Sequence, residues 1–227
     1  MGKSLPVKII ISEEIKQAAP GLQVVAIEAD VINGATTDEL WQELEDEMAR
    51  IAANYAMDQV NKRPGIAATR AAYKALGKEP NRYRPSSEAL CRRAVKGMGL
   101  YRINALVDLI NVLSMRTGYS IGGFDAGKIE GDELVLGVGR EGEDFEAIGR
   151  GQLNIAFLPV YRDKVGGIGT PTSDVERTKL TDDTTKLLIC INIYGEEMPV
   201  DQTIEYAVSL IEKYSQAKNI TINQYRP

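Results

Sequence analysis

The residues with the most chemical potential fall in three short stretches. Ile121-Gly122-Gly123-Phe124-Asp125 places two glycines ahead of a carboxylate. Neither glycine has a Cβ, so backbone amides in a turn here can approach a ligand, and Asp125 can handle a proton. Lys164 to Asp174 reads KVGGIGTPTSD. Gly166, Gly167, Thr170, Thr172 and Ser173 suggest a polar cradle ending in a second carboxylate, Asp174. The glycine spacing is neither a Walker loop nor a dinucleotide fingerprint, and the same residues suit a structured loop with hydroxyl-to-backbone bonds. In Leu187 to Tyr194 one alternate face is wholly apolar. The other carries Leu188, Cys190, Asn192 and Tyr194 and is expected to border a pocket or solvent. Cys190 is a possible nucleophile only in an accessible, electropositive setting, which Ile189 and Ile191 do not supply.

The chain has 227 residues and no histidine. That excludes Ser-His-Asp and Cys-His catalysis and any His-ligated zinc. Acid-base work falls to carboxylates, Lys, Tyr, Cys, substrate hydroxyls or water. Cys91 and Cys190 form no C-x-x-C pair, and no metal or cofactor is expected. Two cysteines without a disulfide framework suit a reducing cytoplasm. No apolar run approaches the roughly 20 residues of a membrane span, and MGKSLPVKII lacks the pattern of a signal peptide or myristoylation site.

The elements that must position these groups are legible from periodicity. Strands are expected over 5–11 and 22–31, with Asn33-Gly34 as a turn. Thr36 and Glu39 read as a capping box opening an amphipathic helix over 37–62, polar at Glu43, Asp46, Glu47 and Arg50. Pro64-Gly65 breaks it, and a short helix over 66–76 stops at Gly77. Ser86 or Ser87 is expected to cap a helix to Lys96, with Gly97 as its stop. Cys91 reads as a buried small hydrophobe there. A further helix covers 103–116, with Ile103, Leu106, Val107, Ile110 and Leu113 inward and Asn104, Asp108 and Asn111 sharing a face. Beyond Gly118 the period changes to two. Strands are expected near 119–124, 132–139, 153–161 and 186–194, then a helix from Asp201 as N-cap to Ser215 and a strand over 219–223. The pattern is α+β, with 1–227 expected as a single domain.

Net charge is −5, which speaks against a general nucleic-acid binder, and DNA is not expected as a partner. The distribution is uneven. Residues 61–102 hold eleven Lys/Arg and two acids, a net of +9, between flanks of −7 each. Arg82, Arg84, Arg92, Arg93 and Lys96 are the expected phosphate contacts, and Tyr73, Tyr83 and Tyr101 could stack on bases. The alternative is a solvated surface that offsets acidic neighbours.

Read together, the segments carry a resemblance. Arg102, Asn104 or Ala105, Val107, Asp108 and Asn111, then Gly118 and Phe124-Asp125, then Gly166-Gly167, Thr181, Thr184 and the strand through Cys190 resemble the B-three/B-four editing domain of the phenylalanyl-tRNA synthetase beta chain. Order and spacing match over residues 85–195. The resemblance implies β-sandwich-like sheets of unusual topology covered by helices, and a pocket for an aminoacyl group lined by Asn111 and walled by Gly166 and Gly167. The family's pocket histidine falls at Gly122, its pocket glutamate at Cys190 and the threonine before its asparagine at Ile110. Tyrosine specificity is therefore not carried over.

The leading expectation is a protein that binds tRNA or aminoacyl-tRNA and hydrolyses mischarged tRNA in trans. Water would be oriented by the Gly122-Gly123 or Gly166-Gly167 amides with Asp125 or Asp174, and Thr170, Thr172 and Ser173 would meet the ribose or carbonyl. The alternative is a non-catalytic module for RNA or an amino-acid-like small molecule. A third reading is a small-metabolite hydrolase or transferase with Cys190 as nucleophile.

Overall fold

A computed structural model describes residues 6–227. Leu5, expected to open the first strand, and residues 1–5 of the stretch that bears on targeting signals lie outside that range. Two four-stranded sheets and a layer of helices stack face to face, and the α+β expectation holds.

The central sheet has the order β10 (Lys218–Tyr225), β2 (Gln23–Asp30), β9 (Lys186–Ile193), β3 (Ser120–Asp125), all antiparallel. The second sheet has the order β1 (Lys8–Ile11), β4 (Glu133–Val138), β7 (Pro159–Arg162), β8 (Gly167–Gly169), with β1 parallel to β4. A small hairpin joins β5 (Glu146–Ala147) to β6 (Gly151–Gln152).

The alternation in β9 explains the layering. Leu187, Ile189, Ile191 and Ile193 face a core shared with α2 (Asp38–Asn54), α4 (Ser86–Val95), α5 (Ala105–Thr117) and α6 (Val200–Ser215). Leu188, Cys190 and Tyr194 face a second core against β1, β4, β7 and β8, closed by α1 (Glu13–Ala18) and α3 (Pro64–Leu76). The expectation that this face borders a pocket or solvent is corrected. Asn192 is buried there because its polar atoms are met: Tyr161 donates to its Oδ1 at 2.5 Å, and its Nδ2 donates to the Ser120 carbonyl at 2.9 Å.

Other differences have local causes. The helix expected over 37–62 ends at Asn54. Tyr55 is extended, and the Gln59 side chain takes the Ala56 amide, leaving only a short 3-10 turn at Val60–Lys62. The cap of α2 is Thr37, which accepts from Leu40, a contact worth about 1 kcal/mol. Thr36 instead donates to Asp108. Glu47, expected on the polar face, is buried beneath Arg50 and Arg116. Pro64 opens α3 at N1, where its missing N–H costs nothing. Pro85 and Pro199 occupy the N-cap positions expected for Ser86 or Ser87 and for Asp201. Asn104 caps α5 by accepting from Val107, so Ile103 precedes the helix and is exposed instead of inward. The strand expected over 153–161 shortens to β7. Helix α1, not anticipated, carries an ordinary signal in Ser12 as N-cap with Glu13 and Glu14 behind it.

Candidate functional site

A cavity of about 500 Å³ lies between α4, α5, the edge strand β3 and the loops at 148–150, 170–174 and 179–180. Its walls are largely apolar, with Leu90, Val107, Ile110, Ile121, Ile148 and Leu180 prominent. A small number of polar groups on apolar walls of this size is the usual form of a small-molecule site.

Helix α5 supplies Asn111. Its amide is half-buried on the cavity wall and makes no hydrogen bond to any other described residue. The three polar residues expected on one face of this helix serve different ends. Asn104 caps the helix, whereas Asp108 is buried against Thr36 and the Ile103 amide.

Strand β3 supplies Gly123. The Gly122-Gly123 turn expected from the sequence is corrected: both glycines lie within β3, paired with Cys190 and Ile189. A Cβ on Gly123 would stand 2.6 Å from Ile110 Cδ1 and 3.1 Å from Leu180 Cδ1, so glycine keeps this wall open. A Cβ on Gly122 would meet the Phe124 ring at 2.7 Å. Gly122 does not line the cavity.

The 170–174 loop supplies Asp174. Its carboxyl lies deep but opens on the cavity, and Oδ2 accepts one hydrogen bond, from the Gly123 amide at 3.2 Å. Burial, opposed only by that amide, pushes it up from 3.8 to about 8. No lysine or arginine forms an ion pair with it among the described residues. The loop is held by its own hydroxyls. Thr170 Oγ1 accepts from the Thr172 and Ser173 amides and donates to the Ser173 carbonyl. Thr172 Oγ1 accepts from Tyr73 at 2.8 Å and donates to the Tyr83 carbonyl at 3.0 Å. Both threonines line the cavity with their hydroxyls already engaged. The Ser173 hydroxyl makes no hydrogen bond to a described residue.

Three cations complete the wall. Arg93 donates from Nη2 to the Gly99 carbonyl at 2.6 Å, while its Nε is buried without a partner. Lys179 is paired with Glu176 at 2.5 Å. Arg150 is exposed between two positive-φ glycines, Gly149 and Gly151. Arg150 and Lys179 were not among the residues singled out from sequence. The Gly-Arg-Gly triplet was the available signal, since it presents an arginine on a loop.

The structure thus brings Asn111, Gly123, Thr170, Thr172, Ser173, Asp174 and Arg93 to one cavity. The remaining candidates lie elsewhere. Asp125 caps a 3-10 turn, accepting from Gly127 and Thr184 with Lys128 3.6 Å away. Gly167 is in β8 against Val160 and Phe145. Gly166 bonds only to Asp163, through its amide and carbonyl. Cys190 is fully buried, and enclosure together with Asp174 and Glu28 raises its thiol well above the usual value. That setting opposes the nucleophile reading.

The basic segment is divided: Lys62, Lys74, Arg82, Arg84, Lys96 and Arg102 are exposed, and its other five cations are buried or half-buried. Arg63 pairs with Glu197 at 2.8 Å, Arg70 and Arg92 both hold buried Glu88 at 2.8 Å, and Lys78 donates to the Asn154 and Ala156 carbonyls. Lys78 also sits 3.6 Å from the centre of the Tyr83 ring. Arg84 is exposed 4.0 Å from Glu88. Of the five residues expected on RNA, Arg82 and Lys96 are exposed and outside any ion pair with described residues.

A search of curated proteins finds no match. Among solved structures, the chain is similar to an N-terminal fragment of the phenylalanyl-tRNA synthetase beta-subunit from Pyrococcus horikoshii, at 12% identity and a TM-score of 0.48. The match covers 100% of this chain, and the chain spans 57% of that fragment's length. The B3/4 domain model matches residues 68–216, which include α4, α5, β3 and the 170–174 loop. The chain belongs to the B3/4 domain family.

Proposed function

We propose that the chain binds the aminoacyl end of tRNA in the cavity between α4, α5 and β3, and hydrolyses mischarged ester in trans. The observation that carries the reading is the joint placement of Asn111 and Asp174 on one apolar cavity with cations on its wall. An apolar side chain fits Ile110, Ile121 and Leu180. Asn111 offers an unengaged amide that can both donate and accept, and Arg150 is available to phosphate. Family membership and the order of motifs over 85–195 support an aminoacyl ligand.

The chemistry available for ester cleavage is narrow. Asp174 is the only carboxyl among the described residues on the cavity wall, and in the empty cavity a value near 8 places it within range of proton exchange at physiological pH, until a bound cation holds it ionised. The tRNA's own vicinal hydroxyl is the other group able to activate water. Incubating a panel of mischarged tRNAs with wild-type protein and with Asn111→Ala tests the hydrolase claim. Accelerated release of at least one amino acid, lost in the variant, supports it; release no faster than in buffer for every tRNA removes it.

A non-catalytic reading draws on the inward-turned part of the basic segment. With Arg63, Arg70, Lys78 and Arg92 satisfied internally, the phosphate surface is smaller than the net charge of the segment suggests. An amino-acid-like small molecule would occupy the same cavity without needing that surface.

A further inference from the structure

We infer that the cavity takes a ligand with a free primary ammonium, an apolar side chain beside it and an anionic group beyond, with Asp174 as counter-ion of the ammonium and Arg93 and Arg150 toward the anion. The inference rests on the ligand-binding reading above and fixes the ligand's chemical class and orientation.

Asp174 differs from the enclosed acids that have a cation, and from Asp108, which also lacks one but is held by Thr36 and the Ile103 amide away from the cavity. Asp163 is held by Arg177 at 2.8 Å and by backbone amides. Glu88 is shared by Arg70 and Arg92, and Asp125 is held by Thr184, Gly127 and Lys128. Asp174 has the Gly123 amide alone, and its Oδ1 bonds to no described residue. A carboxyl set into an apolar wall with one donor is costly unless something supplies the missing partners. An ammonium brings three donors and the opposite charge, and so completes this site.

The surroundings set the rest of the ligand. Ile110 and Leu180 flank the point where Asp174 meets Gly123, so the atoms attached beside the ammonium must be apolar. Arg93 brings a buried Nε without a partner, and Arg150 an exposed guanidinium outside any ion pair with described residues. Both suit an anion. Two sources carry this chemistry: the aminoacyl terminus of tRNA, with phosphate beyond the ester, and a free apolar amino acid, with its own carboxylate.

The probes that separate them are tRNA charged with leucine, isoleucine or phenylalanine, the same tRNAs after N-acetylation of the amino group, and the free and N-acetylated amino acids. Binding is read by anisotropy for tRNA and by calorimetry for the small molecules. N-acetylation removes the charge and should weaken binding by wild-type protein about tenfold or more. In Asp174→Asn, which keeps the side chain's size, the difference should fall below about twofold. Arg150→Ala, a surface change, should weaken the unacetylated ligand while keeping its preference over the acetylated one. Discrimination against acetylated tRNA supports the ammonium site and the tRNA reading together. Discrimination seen only among free amino acids supports the ammonium site and removes the tRNA reading. Equal binding of free and acetylated forms by wild-type protein overturns the ammonium assignment and leaves the tRNA reading standing. Binding of no probe overturns both.

Discussion

Asp174 and Gly123 meet through a single 3.2 Å hydrogen bond, in which the glycine amide donates to the carboxyl. The contact ties the 170–174 loop to the edge of the central sheet. It also leaves a carboxyl facing a largely apolar cavity without an ion-pair partner among the described residues. A Cβ at Gly123 would press on Ile110 and Leu180, whose side-chain ends would have to move.

The first consequence concerns pH. Asp174 titrates near 8 in the folded chain against an ordinary 3.8. Between those values the folded state holds a proton that the unfolded state has released. The contribution to stability is therefore full below about pH 4, falls as pH rises toward 8, and is flat above. Asp174→Asn removes this slope, and above pH 8 the variant should exceed wild type by on the order of a few kcal/mol. Denaturant titrations from pH 4 to 9 check it. Parallel curves for the two proteins would show that the carboxyl is not shifted.

Two glycine substitutions should separate space for a ligand from space for the fold. A Cβ at Gly123 meets only the movable ends of Ile110 and Leu180. Gly123→Ala should fold with a loss under about 1 kcal/mol and bind charged tRNA roughly tenfold more weakly. A Cβ at Gly139 would stand 1.8 Å from the Ile155 carbonyl oxygen, which is backbone and cannot step aside. Gly139→Ala should cost more than about 3 kcal/mol. Thermal melts and tRNA titrations of both variants decide the matter.

The basic segment should behave as two populations. Arg92 holds buried Glu88, so Arg92→Glu leaves that carboxylate facing a like charge and should destabilise the fold by about 3 kcal/mol or more. Arg82 and Lys96 are exposed. If they meet phosphate, Arg82→Glu with Lys96→Glu should leave the melting temperature unchanged and flatten the slope of log affinity against log salt by about 1.5. An unchanged slope would place the phosphate contacts elsewhere.

Cys190 and Cys91 are both fully buried, and burial raises both thiols. Neither should react with a mild alkylating reagent in the native protein, and both should react in denaturant. Rapid labelling of native Cys190 would reopen the nucleophile reading.

Much of the architecture was legible because it follows from periodicity. The apolar alternation of β9 and the stripe of α5 set two cores, and Gly77 and Gly118 mark helix ends, both with φ in the left-handed region. What was not legible depended on neighbours distant in sequence. Gly122-Gly123 reads as a turn, yet pairing with β9 makes it strand. Asn192 reads as bordering solvent, yet Tyr161, 31 residues earlier, satisfies it inside a core. Among the site residues, Asn111 and Asp174 were visible as polar groups in the right segments. Ile121, Leu180 and Arg150 were not, because an apolar wall and a loop arginine acquire meaning only once the chain folds around a cavity.

The most direct test compares the affinity of a tRNA charged with an apolar amino acid with that of the same tRNA uncharged. Wild-type protein should bind the charged form about tenfold more tightly, and Asn111→Ala should abolish the difference. Equal affinity for charged and uncharged tRNA across the panel would contradict the claim that this cavity holds the aminoacyl end.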